Sequence, residues 1–403
     1  MPATRHVVPD VEQLRFGPES DNYCQALRIA LQHRGESLSY REISSWSGRA
    51  FSTCWNDQCY FWDKHLSAPD PDAEGYLRSD FLTARAAIER LGYEYTITSN
   101  ADGLAAHDRA INNQHDDSPH ADMAHVDTGL TVADSAAMRS ALCSEIDAGH
   151  PVLAQFSLSP DRWAPEWTLF TGYDDGGATV IGWSFFQEDE EHAAGIQTEE
   201  SGQFRLADWE RQTITLVQIS GQPVAERDIN ALEKQAAQEA VTRSQGPVGS
   251  QAAQPCEHLT WGLAAFDRWA TAIEAPDHTD VSDHVLLGRM QYHGHLVGHL
   301  AAQKWYSCDC LRHGQHSPWT VASVLQASAA WATFHERMWD IWDVAGGFWR
   351  DEQEELVKFR SQGARDRVAA LIRQARDLDA AAATHLQTAL DRWDRSHGDY
   401  MNH

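Results

Sequence analysis

Apolar positions recur along this chain with two different periods. Over roughly the first 222 residues, helical stretches alternate with short runs of period two; after residue 255 the period is helical throughout. DNYCQALRIALQHRG predicts a helix from about Asp21 to a stop at Gly35. Leu27, Ala30 and Leu31 recur at helical spacing, and Asp21 or Asn22 can cap the start. SYREISSWSG and FLTARAAIERLG predict two more helices, the second ending at Gly92, and YEYTIT alternates as a strand. From Ser99 to about Thr131 the chain turns polar, with His107, His115, His120 and His125 at no regular spacing, and reads as a solvated loop insertion. A helix over SAAMRSALCSEIDAG then leads into HPVLAQFSL. EWTLFTGYD and ATVIGWSFF read as strands joined by the hairpin signal Asp174-Asp175-Gly176-Gly177, and FRLADWERQTITLVQIS adds a helical turn and a last strand.

Residues 223–255 carry a polar helix and then TRSQGPVGSQAAQP, whose Gly, Ser, Gln and Pro mark a linker. Beyond it lie four apolar stripes. They run Leu259, Leu263, Phe266, Ala270; then Leu286, Met290, His293, Val297, Leu300; then Leu325, Ser328, Ala332, His335, Met338, Trp342; and last Val368, Leu371, Ala375, Leu378, Ala382, His385, Ala389. Steps of three and four put each set on one helix face, and four such faces are most simply buried in a bundle. The expected architecture is an α+β domain over 1–222, a linker over 223–255 and an all-α helical bundle over 256–403.

Composition narrows the partners. Across 403 residues, 59 Asp and Glu face 32 Lys and Arg, a formal charge of −27, and only four of the cations are lysines. Nucleic-acid backbones and anionic membranes are recognised by neutralising phosphate with Lys and Arg, so neither is an expected partner. Abundant acid with almost no lysine fits a protein kept soluble in concentrated salt. The start shows no secretory pattern and no apolar run nears the ~20 residues that cross a bilayer, so the expectation is a cytoplasmic protein. The seven cysteines are irregularly spaced, which predicts free thiols, and no motif implies a cofactor.

Candidate chemistry starts at Cys24, which opens a predicted helix where free backbone N–H groups and the macrodipole favour a thiolate. The bland reading is a buried small hydrophobe. Three stretches carry a resemblance: Tyr23-Cys24-Gln25-Ala26-Leu27 with Ala30-Leu31; Gly149-His150-Pro151-Val152; and Thr171-Gly172-Tyr173-Asp174 with Val180-Ile181-Gly182-Trp183. Over roughly residues 15–220 the chain resembles the papain-like cysteine enzymes, and more closely the peptidase C39-like group and the N-terminal domain of butirosin biosynthesis protein H. The whole chain is similar to an uncharacterised bacterial and archaeal family with a helical tail bearing a GLAAFDRWA-type motif, here Gly262–Ala270. The resemblance implies a cysteine-dependent acyltransferase or amidohydrolase, with a histidine opening the strand EWTLFTGYD and an orienting residue on the next strand. This chain departs at both places, with Glu166 at the first and Trp183 or Ser184 at the second. A carboxylate facing Cys24 repels a thiolate, which counts against ordinary thiol-protease chemistry. Glu166 itself becomes a candidate base if Trp163, Trp167 and Trp183 desolvate it. His150 stands one element too early to match the family position.

The expected pocket therefore centres on Cys24 and Glu166, with Tyr23, Gln25, Trp167, Tyr173, Asp174 and Trp183 around a small-molecule or peptide ligand. In the helical half, His293, His335 and His385 sit on three apolar stripes, as a ligand pocket, a metal site with Glu336 and Asp267 nearby, or satisfied core rings. Cys308, Cys310, His313 and His316 match no established zinc spacing, and the pair His295 and His299 has no partner ligand in sequence. Cys54 and Cys59 are expected in a loop near the Cys24 pocket. Three functions stay open: a C39-like protein with degenerate catalytic residues that binds a ligand or does acyl or amide chemistry, a non-catalytic binding or scaffold module, and a metal-binding protein of the helical half.

Overall fold

The computed structural model describes residues 4–60 (save 16 and 18), 87–100, 131–158, 166–188, 193, 196–221, 227–246, 259–314, 321–347 and 351–400. Most of the polar stretch read as a loop, and Trp163, Cys256 and His316, lie outside them. The chain is α+β, with a large, mainly antiparallel sheet and a C-terminal helical region. It divides into two compact units that interleave in sequence: residues 1–43 with 84–227, and residues 44–83 with 228–403. This differs from a simple cut at the linker, because residues 44–60 belong with the C-terminal helices and part of the linker is the helix Ile229–Gln245 of that same unit.

In the first unit the strands β1 (His6–Val7), β3 (Glu94–Asn100), β4 (Thr131–Ala133), β5 (Val152–Phe156), β6 (Glu166–Asp174), β7 (Thr179–Trp183), β8 (Gln197–Thr198), β9 (Phe204–Ala207) and β10 (Thr213–Ser220) form one sheet, while β2 (Cys54–Asn56) lies in the second unit. Their order is β4-β3-β10-β5-β6-β7-β9-β8, and β1 pairs with the far end of β6. β5 covers β6 from Glu166 to Phe170; β1 covers Gly172 and Tyr173 beyond it. Gly172 is required there, since a Cβ would stand 2.7 Å from the His6 carbonyl oxygen. The hairpin from β6 to β7 turns through Asp175, Gly176 and Gly177, all with positive φ, which the DGG sequence tolerates.

Helices cover both faces of this sheet. Helix α1 (Asn22–Gln32) is capped by Asp21, whose carboxylate accepts the Cys24 N–H at 2.8 Å, and packs on β5 and β6. Its Tyr23 ring lies 5.0 Å from Trp167 of β6. On the opposite face by strand alternation, Phe156 and Phe170 join Met138, Leu142 and Ile146 of a helix over Ser135–Asp147 in one core. Burying each of these side chains contributes about 1.5–3 kcal/mol.

In the second unit, α2 is the helix Leu263–Glu274, α3 Asp283–His313, α4 Val321–Ala345, α5 Glu352–Arg360 and α6 Gln362–Tyr400. Their core takes in Phe266, Trp269, Leu286, Met290, Val297, Phe334, Met338, Val368 and Ile372, together with Trp55 and Tyr60 from the early segment. β2 pairs with β11 (Leu259–Trp261), so Leu259 is a strand residue and not the start of a helical stripe. Gly262 opens α2 with φ +63°, and a Cβ there would meet the Ser244 carbonyl oxygen at 2.5 Å.

Charged side chains enter this core with partners. Arg365 is fully buried and uses all five N–H groups on the carbonyls of Ile273, Ala275, Phe359 and Arg360 and on Gln362, tying off the C-terminal ends of α2 and α5. Lys304 and Asp379 form a buried ion pair at 2.9 Å, and the same Asp379 oxygen accepts the Trp331 indole N–H at 2.8 Å.

Candidate functional site

The start of β6 meets the start of α1. Glu166 is buried as the first residue of β6, and Ser184, just past β7, donates its hydroxyl to Oε1. The amides of Phe185 and Phe186 and the side chain of Asn22 also favour the charged form, more weakly. Burial dominates them and pushes the carboxyl up to about 8, so at neutral pH it largely keeps its proton. Oε2 has no hydrogen-bond partner among the described residues. Asn22 lies two residues before Cys24 on the same helical turn, which links Glu166 to the cysteine's end of α1.

The Cys24 side chain has no exposed surface. Its backbone N–H is taken by Asp21, so the donor that this residue brings to the helix start is already answered by a carboxylate. That arrangement stabilises the helix and opposes a thiolate beside it.

The remaining expected residues divide between the two ends of β6. Tyr23 and Trp167 lie together near Glu166, both buried. Trp183 pairs with Leu169 across the strands, packs on Gly202, and its indole N–H has no partner among the described residues. Gln25 is spent on structure: its amide oxygen accepts the Arg15 N–H at 2.8 Å and its amide N–H reaches Glu19. Tyr173 and Asp174 stand at the other end of β6, about 23 Å from Glu166 at the usual strand rise. There Tyr173 donates to Asp147 at 2.7 Å, and Asp174 pairs with Arg205 and Arg5. A single pocket joining Cys24 to the hairpin is thereby corrected: the long strand separates them.

Two of the three expected histidines, His293 and His335, have separate partners. His293 accepts the Trp269 indole N–H at 3.0 Å and donates to the Ala345 carbonyl at 3.0 Å, a satisfied core ring that burial holds down at about 4. His335 donates to the Ala301 carbonyl at 2.8 Å and accepts the Trp339 indole N–H at 2.9 Å. His385 is half-buried on α6. Among the described residues no group of three or more His, Cys, Asp or Glu side chains is arranged to hold a metal. Cys54 lies in strand β2 of the second unit and not in a loop, and the Cys59 side chain is outside the described residues.

Sequence reasoning passed over Asn22 as a partner of Glu166, and weighed Ser184 only as one of two orienting positions. The signal for Ser184 was its place after ATVIGW, where the chain leaves β7 beside the start of β6. No protein-family model and no curated protein matches this chain.

Proposed function

We propose that the first unit is a papain-like, C39-like domain whose catalytic centre has become a ligand-binding site for a small molecule or peptide. One observation carries the reading. Glu166 and Ser184, at the two positions where the resemblance expects a base and its orienting partner, are hydrogen-bonded to each other beside the first turn of α1. With its proton retained, Glu166 can give Oε2–H to a carbonyl oxygen, a group common to peptides and acylated small molecules. Ser184 holds the other oxygen, so the carboxyl presents one direction to a ligand.

A binding role fits Cys24, a covered thiol whose helix start already carries the Asp21 carboxylate. Iodoacetamide at neutral pH should therefore alkylate Cys24 more slowly than Cys54, as followed by peptide mapping. In ligand-observed NMR, N-acetyl dipeptide amides should receive saturation from the native protein and none from Glu166→Ala. Absence of transfer to any of them from the native protein counts against the carbonyl ligand. Rapid, selective alkylation of Cys24 would replace the binding role with acyl or amide chemistry.

A further inference from the structure

Four aromatic rings run side by side across α3 and α4 of the helical unit. Trp305 lies 4.9 Å from His335, His335 lies 5.8 Å from Trp339, and Trp339 lies 6.0 Å from Trp342. Trp342 is buried, whereas Trp305 and Trp339 are 40% and 44% exposed. A bulky indole left this open on each of two neighbouring helices is unusual enough to ask what it meets. The ribbon is also fixed: His335 is anchored to the Ala301 carbonyl and takes the Trp339 indole N–H.

Charge tells what chemistry suits it. On a helix, positions three and four away share a face. Glu336 precedes Trp339 by three and Asp343 follows it by four, while Asp309, four after Trp305, is paired with His313 at 3.0 Å. No lysine or arginine occupies any of these neighbouring positions for either ring. Arg337, the nearest cation along α4, is paired with Asp340 at 2.5 Å. Indole faces attract cations through their quadrupole, carboxylates at the rim add to that attraction, and the −27 charge of the chain raises the local cation concentration. The same charge opposes a second copy of this chain on the patch.

We infer that the Trp305–His335–Trp339 ribbon is a binding site for an organic cation, an alkylated ammonium or guanidinium group. The indole faces take its apolar shell, and Glu336 balances its charge. His335 is a positioning residue that sets the Trp339 ring without touching the ligand.

The test is saturation-transfer NMR on the full chain at low salt with tetramethylammonium, with N-acetyl-arginine amide, and with tert-butanol as an uncharged control. Saturable transfer to one or both cations and none to tert-butanol is the expected result. A response to tetramethylammonium alone assigns a small quaternary ion; a response to the arginine derivative alone assigns a side chain of a partner. Trp305→Phe and Trp339→Phe, which keep a ring of weaker quadrupole, should each weaken binding by about five-fold. Equal transfer to tert-butanol, or unchanged affinity in both phenylalanine variants, overturns the proposal. Those two variants decide the matter even where an alanine at either position fails to fold.

Discussion

At the scale of single residues, Glu166 and His293 titrate in opposite senses, and their effects on stability can be told apart. Glu166 has a folded value raised to about 8 against an ordinary carboxyl near 4.5, so the folded state binds the proton more tightly. Its contribution is present at low pH and is lost as pH rises through 8. Glu166→Gln should then be more stable than the native protein at pH 9, by on the order of 3 kcal/mol in urea unfolding, with little difference near pH 5. His293 is held down at about 4 against 6.5, so the unfolded state takes its proton first. Stability of the helical unit should fall between pH 6.5 and 4, by about 3 kcal/mol at most from this ring. Hydrogen exchange resolved by segment separates the two, because Glu166 and His293 lie in different units. Cys24 was legible in the sequence because it opens a predicted helix, and Glu166 because the resemblance expects a base at the start of its strand. Lys304, Arg365 and Asp379 were not. A charged residue is read as solvated unless its partner is known, and the partners that bury these, Asp379 for Lys304 and the Ile273 carbonyl for Arg365, come from helices far along the chain.

At the scale of elements, the helix ends show how much depends on single side chains. Arg365→Ala removes the donor set that holds four carbonyls and leaves several of them buried without partners. The expected loss is on the order of 3 kcal/mol, seen as a lowered denaturant midpoint with an unchanged slope. The Lys304–Asp379 pair allows a sharper comparison. Lys304→Met alone strands the carboxylate and should cost about 3–5 kcal/mol, while Lys304→Met with Asp379→Leu should recover most of that, less the Trp331 hydrogen bond. Elements with sustained periodicity were legible: α1, the helix Ser135–Asp147, β6, β7 and α3 lie where the apolar spacing predicts them. β2 and β11 were not, since strands of three residues carry almost no period and pair across a long stretch of chain. Leu325 shows the other limit. It continues an apolar stripe yet is exposed, because helical period assigns a face and not what covers it.

At the scale of the whole molecule, the acidic excess should make stability depend on salt. Screening relieves repulsion among 59 carboxylates, so the thermal midpoint should rise steadily with sodium chloride from dilute buffer upward. A flat response in calorimetry would mean that the charges are already balanced locally by pairs such as Arg227 with Glu36 and Arg28 with Glu12. Trp55 and Tyr60 sit in the core of a unit whose long helices follow from Ile229 onward. On a ribosome these two rings emerge well before their partners, by about 10–40 s at ordinary elongation rates. Until then they are exposed apolar surface, so folding of the second unit waits for the helices that cover them. A gene fragment starting at the linker would lack them altogether and would yield helices around a gap of two large rings.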